Sequence, residues 1–106
     1  MTALEGPIRA MIDATNREDS DGFVAAFADD AVLVDWGREF AGRDRIARWN
    51  ATENIGVHSR IAVEGVEHDG ARTIVSVRVS GEGYTGGGAF VFRTGDGRIT
   101  RMEITG

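Results

Sequence analysis

The sequence predicts an α+β fold in which three N-terminal helices pack against a strongly curved, mainly antiparallel sheet. Three observations carry this prediction. Apolar residues recur with helical spacing through the first half of the chain, and from Val57 onward the period changes to two. No helical segment interrupts the later strands, so the helices gather on one side of the sheet and a doubly wound parallel arrangement is disfavoured. At 106 residues the chain reads as one domain, 1–106, with no repeats, linkers or low-complexity segments.

Ile8, Met11, Ile12 and Thr15 follow the i, i+3, i+4, i+7 spacing of one helix face. Pro7 suits the start of that helix, where a missing N–H costs nothing. Arg17-Glu18-Asp19 break the pattern, and Asp19 or Ser20 caps a second short helix carrying Phe23, Val24 and Phe27 and ending at Asp29-Asp30. The apolar, β-branched run Ala31 to Trp36 reads as a buried strand, turned by Gly37, with Arg38-Glu39-Phe40 as a short hairpin arm. Gly42-Arg43-Asp44 opens a third helix in which Ile46, Trp49 and Glu53 share a face, and Gly56 is its expected terminator.

Ile61 and Val63 alternate, Gly65 marks a bulge, and His68-Asp69-Gly70 forms a hairpin turn because Asp-Gly supplies positive φ angles. Val75, Val77 and Val79 then alternate with polar residues. A glycine-dense stretch, Gly81 to Gly88, precedes Phe90 and Phe92 on one face. Thr94-Gly95-Asp96-Gly97 makes a second turn, and Ile99 to Ile104 forms the last strand.

Composition excludes much chemistry. The chain has no cysteine, which removes disulfides, thiolate metal sites and cysteine nucleophiles together. Two histidines are too few for a multi-histidine zinc site. All 12 basic residues are arginine, so there is no Schiff-base lysine. A net charge of −5 argues against nucleic-acid and anionic-membrane partners. No apolar run approaches the roughly 18 residues of a membrane span, and the first residues lack the basic-then-apolar order of a secretion signal. A cytoplasmic location is the default expectation. No metal or cofactor is implied, so any catalysis falls to carboxylates, a histidine, a tyrosine, arginines or backbone groups.

The stretch Asp19-Ser20-Asp21-Gly22-Phe23-Val24-Ala25-Ala26-Phe27-Ala28-Asp29-Asp30-Ala31-Val32 resembles the nuclear transport factor 2-like superfamily, as does Phe40-Ala41-Gly42-Arg43-Asp44-Arg45-Ile46. That group includes the SnoaL-like polyketide cyclases and the ketosteroid isomerases, and the resemblance runs from Ile8 to Ile104. It implies a cone-shaped fold whose bent sheet encloses an apolar pocket open at one end. It further implies an isomerase, cyclase, dehydratase or epoxide hydrolase site, or a plain binding site, and often a homodimer through the outer sheet face. Fold alone does not choose among these.

Asp35 interrupts an apolar strand just before Trp36-Gly37, and by the resemblance it stands where the isomerases carry their general-base aspartate. A carboxylate in an apolar cavity suits proton abstraction beside a carbonyl. The structural alternative has Asp35 starting the turn and accepting bonds from local backbone N–H groups. The resemblance also shows departures. The oxyanion-hole tyrosine falls on Met11 and the second oxyanion acid on Gly88, while supporting tyrosines fall on Asn50 and Phe27. Losing one preorganised donor costs about 10²–10³ in rate, which argues against steroid isomerisation.

His58 at a strand start is a second candidate acid or base, and otherwise a solvated residue. Glu53 points toward the core side, either as a ligand-binding carboxylate or in an ion pair with an arginine such as Arg60. Met11, Phe27, Trp36, Trp49 and Phe90 form pocket wall or core, and Tyr84 among its glycines forms a rim or flap. The expected ligand is a small apolar or carbonyl-bearing organic molecule. Two functions follow: cofactor-independent isomerisation, cyclisation or dehydration with Asp35 as base, or a noncatalytic ligand-binding or dimerisation module.

Overall fold

The computed structural model describes Leu4 and residues 6–105. The expectation about a secretion signal falls largely on residues 1–3 and 5, which lie outside the described residues. Helix α1 spans Gly6–Asn16 and buries the face read from the sequence, Ile8, Met11, Ile12 and Thr15. Beyond its end the backbone turns through Glu18 at φ 58°. Asp19 then caps α2, Ser20–Ala25, by accepting a 2.9 Å bond from the Gly22 N–H at Oδ1. That bond, with the Arg17 guanidinium second, holds the Asp19 carboxyl below its ordinary pKa.

Six strands follow from the rest of the chain. They are β1 Phe27–Asp35, β2 Arg38–Ala41, β3 Arg60–Asp69, β4 Arg72–Ser80, β5 Gly86–Gly95 and β6 Arg98–Thr105. They form one open mixed sheet in the order β2-β1-β6-β5-β4-β3. β1 and β6 run parallel, and the other neighbours are antiparallel.

The second helix stops at Ala25, so Phe27 and Asp29-Asp30 belong to β1 and not to a helix end. The cause is tertiary. Phe27 pairs with Ile99 and the Ile99 N–H donates to the Ala26 carbonyl at 2.9 Å, which the helical continuation could not offer. The hairpin joining β1 to β2 has two residues, Trp36 and Gly37, at φ 50° and 83°. Two positive φ angles are what a tight hairpin of this hand requires. The bulge at Gly65 and the turns at Gly70 and Asp96-Gly97 appear where expected.

Helix α3 spans Arg43–Glu53 and is followed by a 3₁₀ turn, Ile55–Val57. Gly56 is therefore not the helix terminator. It sits inside that turn, where a Cβ would lie 1.6 Å from the Ala51 carbonyl oxygen, so only glycine lets the chain pass. The strand period accordingly begins at Arg60 rather than Val57.

All three helices lie on one face of the sheet: α1 packs on β3 and β6, and α3 on β1 and β2. Between them Ile8, Met11, Phe23, Phe27, Leu33, Ile46, Val75, Phe92, Ile99 and Met102 are almost fully buried. Each such side chain contributes roughly 1.5–3 kcal/mol of transfer free energy. The Phe23 ring lies 5.2 Å from Phe27 and 6.1 Å from Trp49, which ties α2 to β1 and α3. The free edge of β3 is bonded to the end of α1 through the Asn16 side chain. Asn16 donates to the Ile61 carbonyl at 2.9 Å and accepts from the Ile61 N–H at 2.7 Å, as a paired strand would. Val63, two residues on, is 40% exposed despite its alternation, because it precedes the bulge on an edge strand.

Candidate functional site

Between α3 and the sheet lies a cavity of about 330 Å³, lined more by apolar than by polar surface. Trp49 and Phe90 form part of its wall, Trp36 and Tyr84 reach it from exposed positions, and Asp35, Arg38 and Glu53 bring its charges. The hairpin register explains the charged cluster. Asp35 and Arg38 flank the two-residue turn as a cross-strand pair, so their side chains share a face. Glu53 lies four residues after Trp49, one turn along α3, and so on the same helix face.

Asp35 is 9% exposed, and its Oδ2 accepts from Arg38 Nη2 at 2.6 Å and from the Trp49 indole Nε1–H at 3.0 Å. No backbone N–H of the turn reaches it, so the local-turn alternative does not describe its contacts. Both bonds fall on one oxygen. Among the described residues no sealed side-chain N or O lacks a partner, so the other oxygen, Oδ1, is open rather than walled in. Arg38 also forks onto Glu53, with Nη2 to Oε1 at 2.6 Å and Nη1 to Oε2 at 3.1 Å. Glu53 first, with Asp35 adding, raises the Arg38 guanidinium above its ordinary pKa, and its Cζ lies 5.6 Å from the Phe40 ring centre. The trio sets two carboxyl groups around one guanidinium at the cavity wall.

Other candidates fall elsewhere. The partner of Glu53 is Arg38 and not Arg60, which donates instead to the Asn16 carbonyl. His58 does not line the cavity. It takes a left-handed conformation at φ 55°, its side chain is 59% exposed, and Nδ1 meets Glu18 at 2.6 Å. Met11 and Phe27 are wholly buried in the core and are not cavity walls. The Tyr84 hydroxyl donates to the Gly87 carbonyl at 2.6 Å, which ties this rim residue to the start of β5. Gly88 does line the cavity, and a Cβ there would meet the Thr105 carbonyl oxygen at 2.9 Å, so the position does not admit an acid without a backbone shift.

Sequence reading passed over Arg38, Asn54 and Ser59 as site residues, although all three line the cavity. Arg38 carried a usable signal, since residues flanking a two-residue hairpin turn face one side. Asn54 and Ser59 carried none, because the 3₁₀ turn that places them was not foreseen.

A helix-wrapped open sheet with a lateral apolar cavity defines a nuclear transport factor 2-like protein. Within that class the chain belongs to the SnoaL-like domain family, whose match covers residues 8–102. Among solved structures it is similar to a candidate polyketide cyclase from Sinorhizobium meliloti. That protein is 30% identical, with 96% of this chain and 95% of that one covered, at a TM-score of 0.88. A Mycobacterium tuberculosis protein in complex with estradiol-17beta-hemisuccinate shares the fold at 17% identity, covering 92% and 88%, TM-score 0.81. So does a candidate ketosteroid isomerase from Kribbella flavida at 20% identity, covering 94% and 74%, TM-score 0.80. None of the curated proteins matches the chain. Among the described residues no helix is long and apolar enough to cross a membrane.

Proposed function

We propose that this single-domain chain, 1–106, acts in the cytoplasm on a small carbonyl-bearing or polycyclic organic molecule held in the cavity. Asp35 abstracts the proton beside the carbonyl. The observation carrying this reading is a buried carboxylate with one oxygen anchored by Arg38 and Trp49 and the other open, beside an apolar cavity. The C–H proton passes to Oδ1 and the electron pair moves onto the carbonyl oxygen as an enolate. Where a C=C bond adjoins the α-carbon, the dienolate takes the proton back from Oδ1 at its far carbon, which is isomerisation. Attack by the enolate carbon on a second carbonyl forms a C–C bond and an alkoxide that takes the proton from Oδ1, which is cyclisation. Anchoring on Oδ2 fixes the attack geometry of Oδ1, which is where positioning lowers the barrier.

With Met11 and Gly88 unable to donate, Arg38 is the group that faces the developing oxyanion. A guanidinium has five N–H donors, and three bonds to Asp35 and Glu53 leave Nε and one Nη1 hydrogen for it. Support for a ligand of this class comes from proteins of the same fold. One is in complex with estradiol-17beta-hemisuccinate, and another is a computationally designed 17-OHP binder. The homodimer in this proposal uses the outer sheet face, where half-buried Val34, Ile74 and Val91 alternate with the buried Leu33, Val75 and Phe92 of the inner face.

The second reading is a noncatalytic binding module, favoured by the absence of any side chain at Gly88. Incubating the protein with a panel of enolisable bicyclic and tricyclic ketones in D₂O, and following α-carbon deuteration by NMR, separates the two. Accelerated exchange supports the base. Ketones that bind and are recovered without deuterium support the module.

A further inference from the structure

Asn54 and Ser59 bracket the 3₁₀ turn, line the cavity, and are each only 5% exposed. Their polar atoms are unequally used. The Thr15 hydroxyl spends its one proton on the Met11 carbonyl at 3.0 Å, so toward Asn54 it can only accept. The Asn54 group 3.2 Å from Thr15 Oγ1 is therefore the amide nitrogen, and its other hydrogen goes to Asn50 Oδ1 at 2.9 Å. Asn50 Oδ1 is fixed in turn by the Ile55 N–H at 3.4 Å. This chain of bonds uses both hydrogens of Asn54 Nδ2 and leaves Oδ1 as a bare acceptor with no partner among the described residues.

Ser59 offers its backbone N–H to the Asn54 carbonyl at 3.1 Å, while its hydroxyl has no partner among the described residues. Since no sealed side-chain polar atom among the described residues is unpartnered, both oxygens open onto space, and the space these residues border is the cavity. A ligand that fills the cavity shuts these two oxygens off from water, so it must supply their hydrogen bonds or leave them unpaired at a cost.

We propose that Asn54 Oδ1 and Ser59 Oγ form a subsite for a hydroxyl group of the ligand. One atom of the pair only accepts and the other accepts or donates. A ligand hydroxyl donates to Asn54 Oδ1 and accepts from Ser59 Oγ, pairing both. A ketone or ether oxygen satisfies Ser59 alone and leaves Asn54 bare, so the subsite selects alcohols, phenols and enols. The substrate class narrows to hydroxylated carbonyl compounds, with the hydroxyl held at the α3–β3 connection and the carbonyl face left to Asp35 and Arg38. This rests on the cavity being the ligand site.

The test compares 2-naphthol with 2-methylnaphthalene, similar in size and shape, by competition equilibrium dialysis on the wild type and Ser59→Ala. The serine backbone bond survives that substitution, and an unchanged melting temperature confirms the fold. The subsite predicts that 2-naphthol binds at least about 10-fold tighter to the wild type, and that Ser59→Ala cuts the preference to within about 3-fold. Asn54→Ala is expected to lose the same preference, and serves as a second reading if it folds. A hydroxyl preference that survives in Ser59→Ala, or no preference in the wild type, overturns the subsite and leaves the cavity reading standing. Failure of both probes to bind the wild type overturns both.

Discussion

At the scale of the residue, Asp35 has two oxygens in different surroundings, one bonded and one open. The Trp49 indole and Arg38 both bind Oδ2, which fixes the carboxylate in place. Trp49→Phe removes one of these bonds and keeps most of the ring. The expected cost is about 1–3 kcal/mol, since hydrogen bonds to charged groups are the stronger ones. Urea denaturation of Trp49→Phe, Asp35→Asn and the double variant measures it, with a coupling of about 1 kcal/mol expected between the two positions. Additive losses would mean that the contact contributes nothing. Asp35 and Glu53 were legible because a carboxylate on an apolar strand or helix face stands out. Arg38 was not, since an exposed arginine in a hairpin arm looks like any solvated charge until the register places it across from Asp35. Asn54 and Ser59 were invisible for a different reason: their placement follows from a packing constraint, the close approach of Gly56 to Ala51, which no periodicity encodes.

At the scale of the element, the β1–β2 hairpin joins strain to the site. Trp36 holds φ 50° while 61% exposed, in a region that costs a bulky residue about 1–2 kcal/mol. Asparagine tolerates that conformation. Trp36→Asn is expected to stabilise the fold by about 0.5–1 kcal/mol, seen as a raised melting temperature, while ligand affinity falls because Trp36 lines the cavity mouth. Strain retained beside a cavity fits a residue kept for contact rather than for stability. A lower melting temperature would show that Trp36 packs more than its exposure suggests. The hairpin turns were legible throughout the chain because Asp-Gly and Gly-containing turns have a local cause. The boundary between α2 and β1 was not, since the pairing of Phe27 with Ile99 is decided across the whole chain length.

At the scale of the whole molecule, His58 joins three connections. Its Nδ1 meets Glu18 after α1, its Nε2 lies 3.9 Å from Glu82 in the β4–β5 loop, and its own segment leads into β3. The hydrogen bond that His58 Nδ1–H donates to Glu18 first, then the fields of Glu18 and Glu82, raise the His58 pKa above 6.5. A raised folded-state value means that the protonated pairs contribute stability fully below pH 6.5 and lose it as pH rises through the folded pKa. Melting temperature should therefore fall on that rise, and His58→Gln should flatten this part of the profile. High salt should weaken the effect, because the groups are exposed. An unchanged slope in His58→Gln would assign the pH dependence elsewhere. This junction also holds the loop that carries Tyr84, so it bears on the cavity rim without touching the ligand. The overall architecture was the most legible level, because helix period, strand period and turn chemistry all agree on one arrangement.

The central claim is that Asp35 is a base in a ligand cavity, and Asp35→Asn tests it most directly. Asparagine keeps the size and an oxygen for the Arg38 and Trp49 donors but cannot take a proton. With a ketone that the wild type deuterates in D₂O, the α-exchange rate of Asp35→Asn should fall by about 10²–10⁴, with ketone affinity held within about 3-fold. Equal exchange rates in the two proteins, at equal occupancy, would contradict the account.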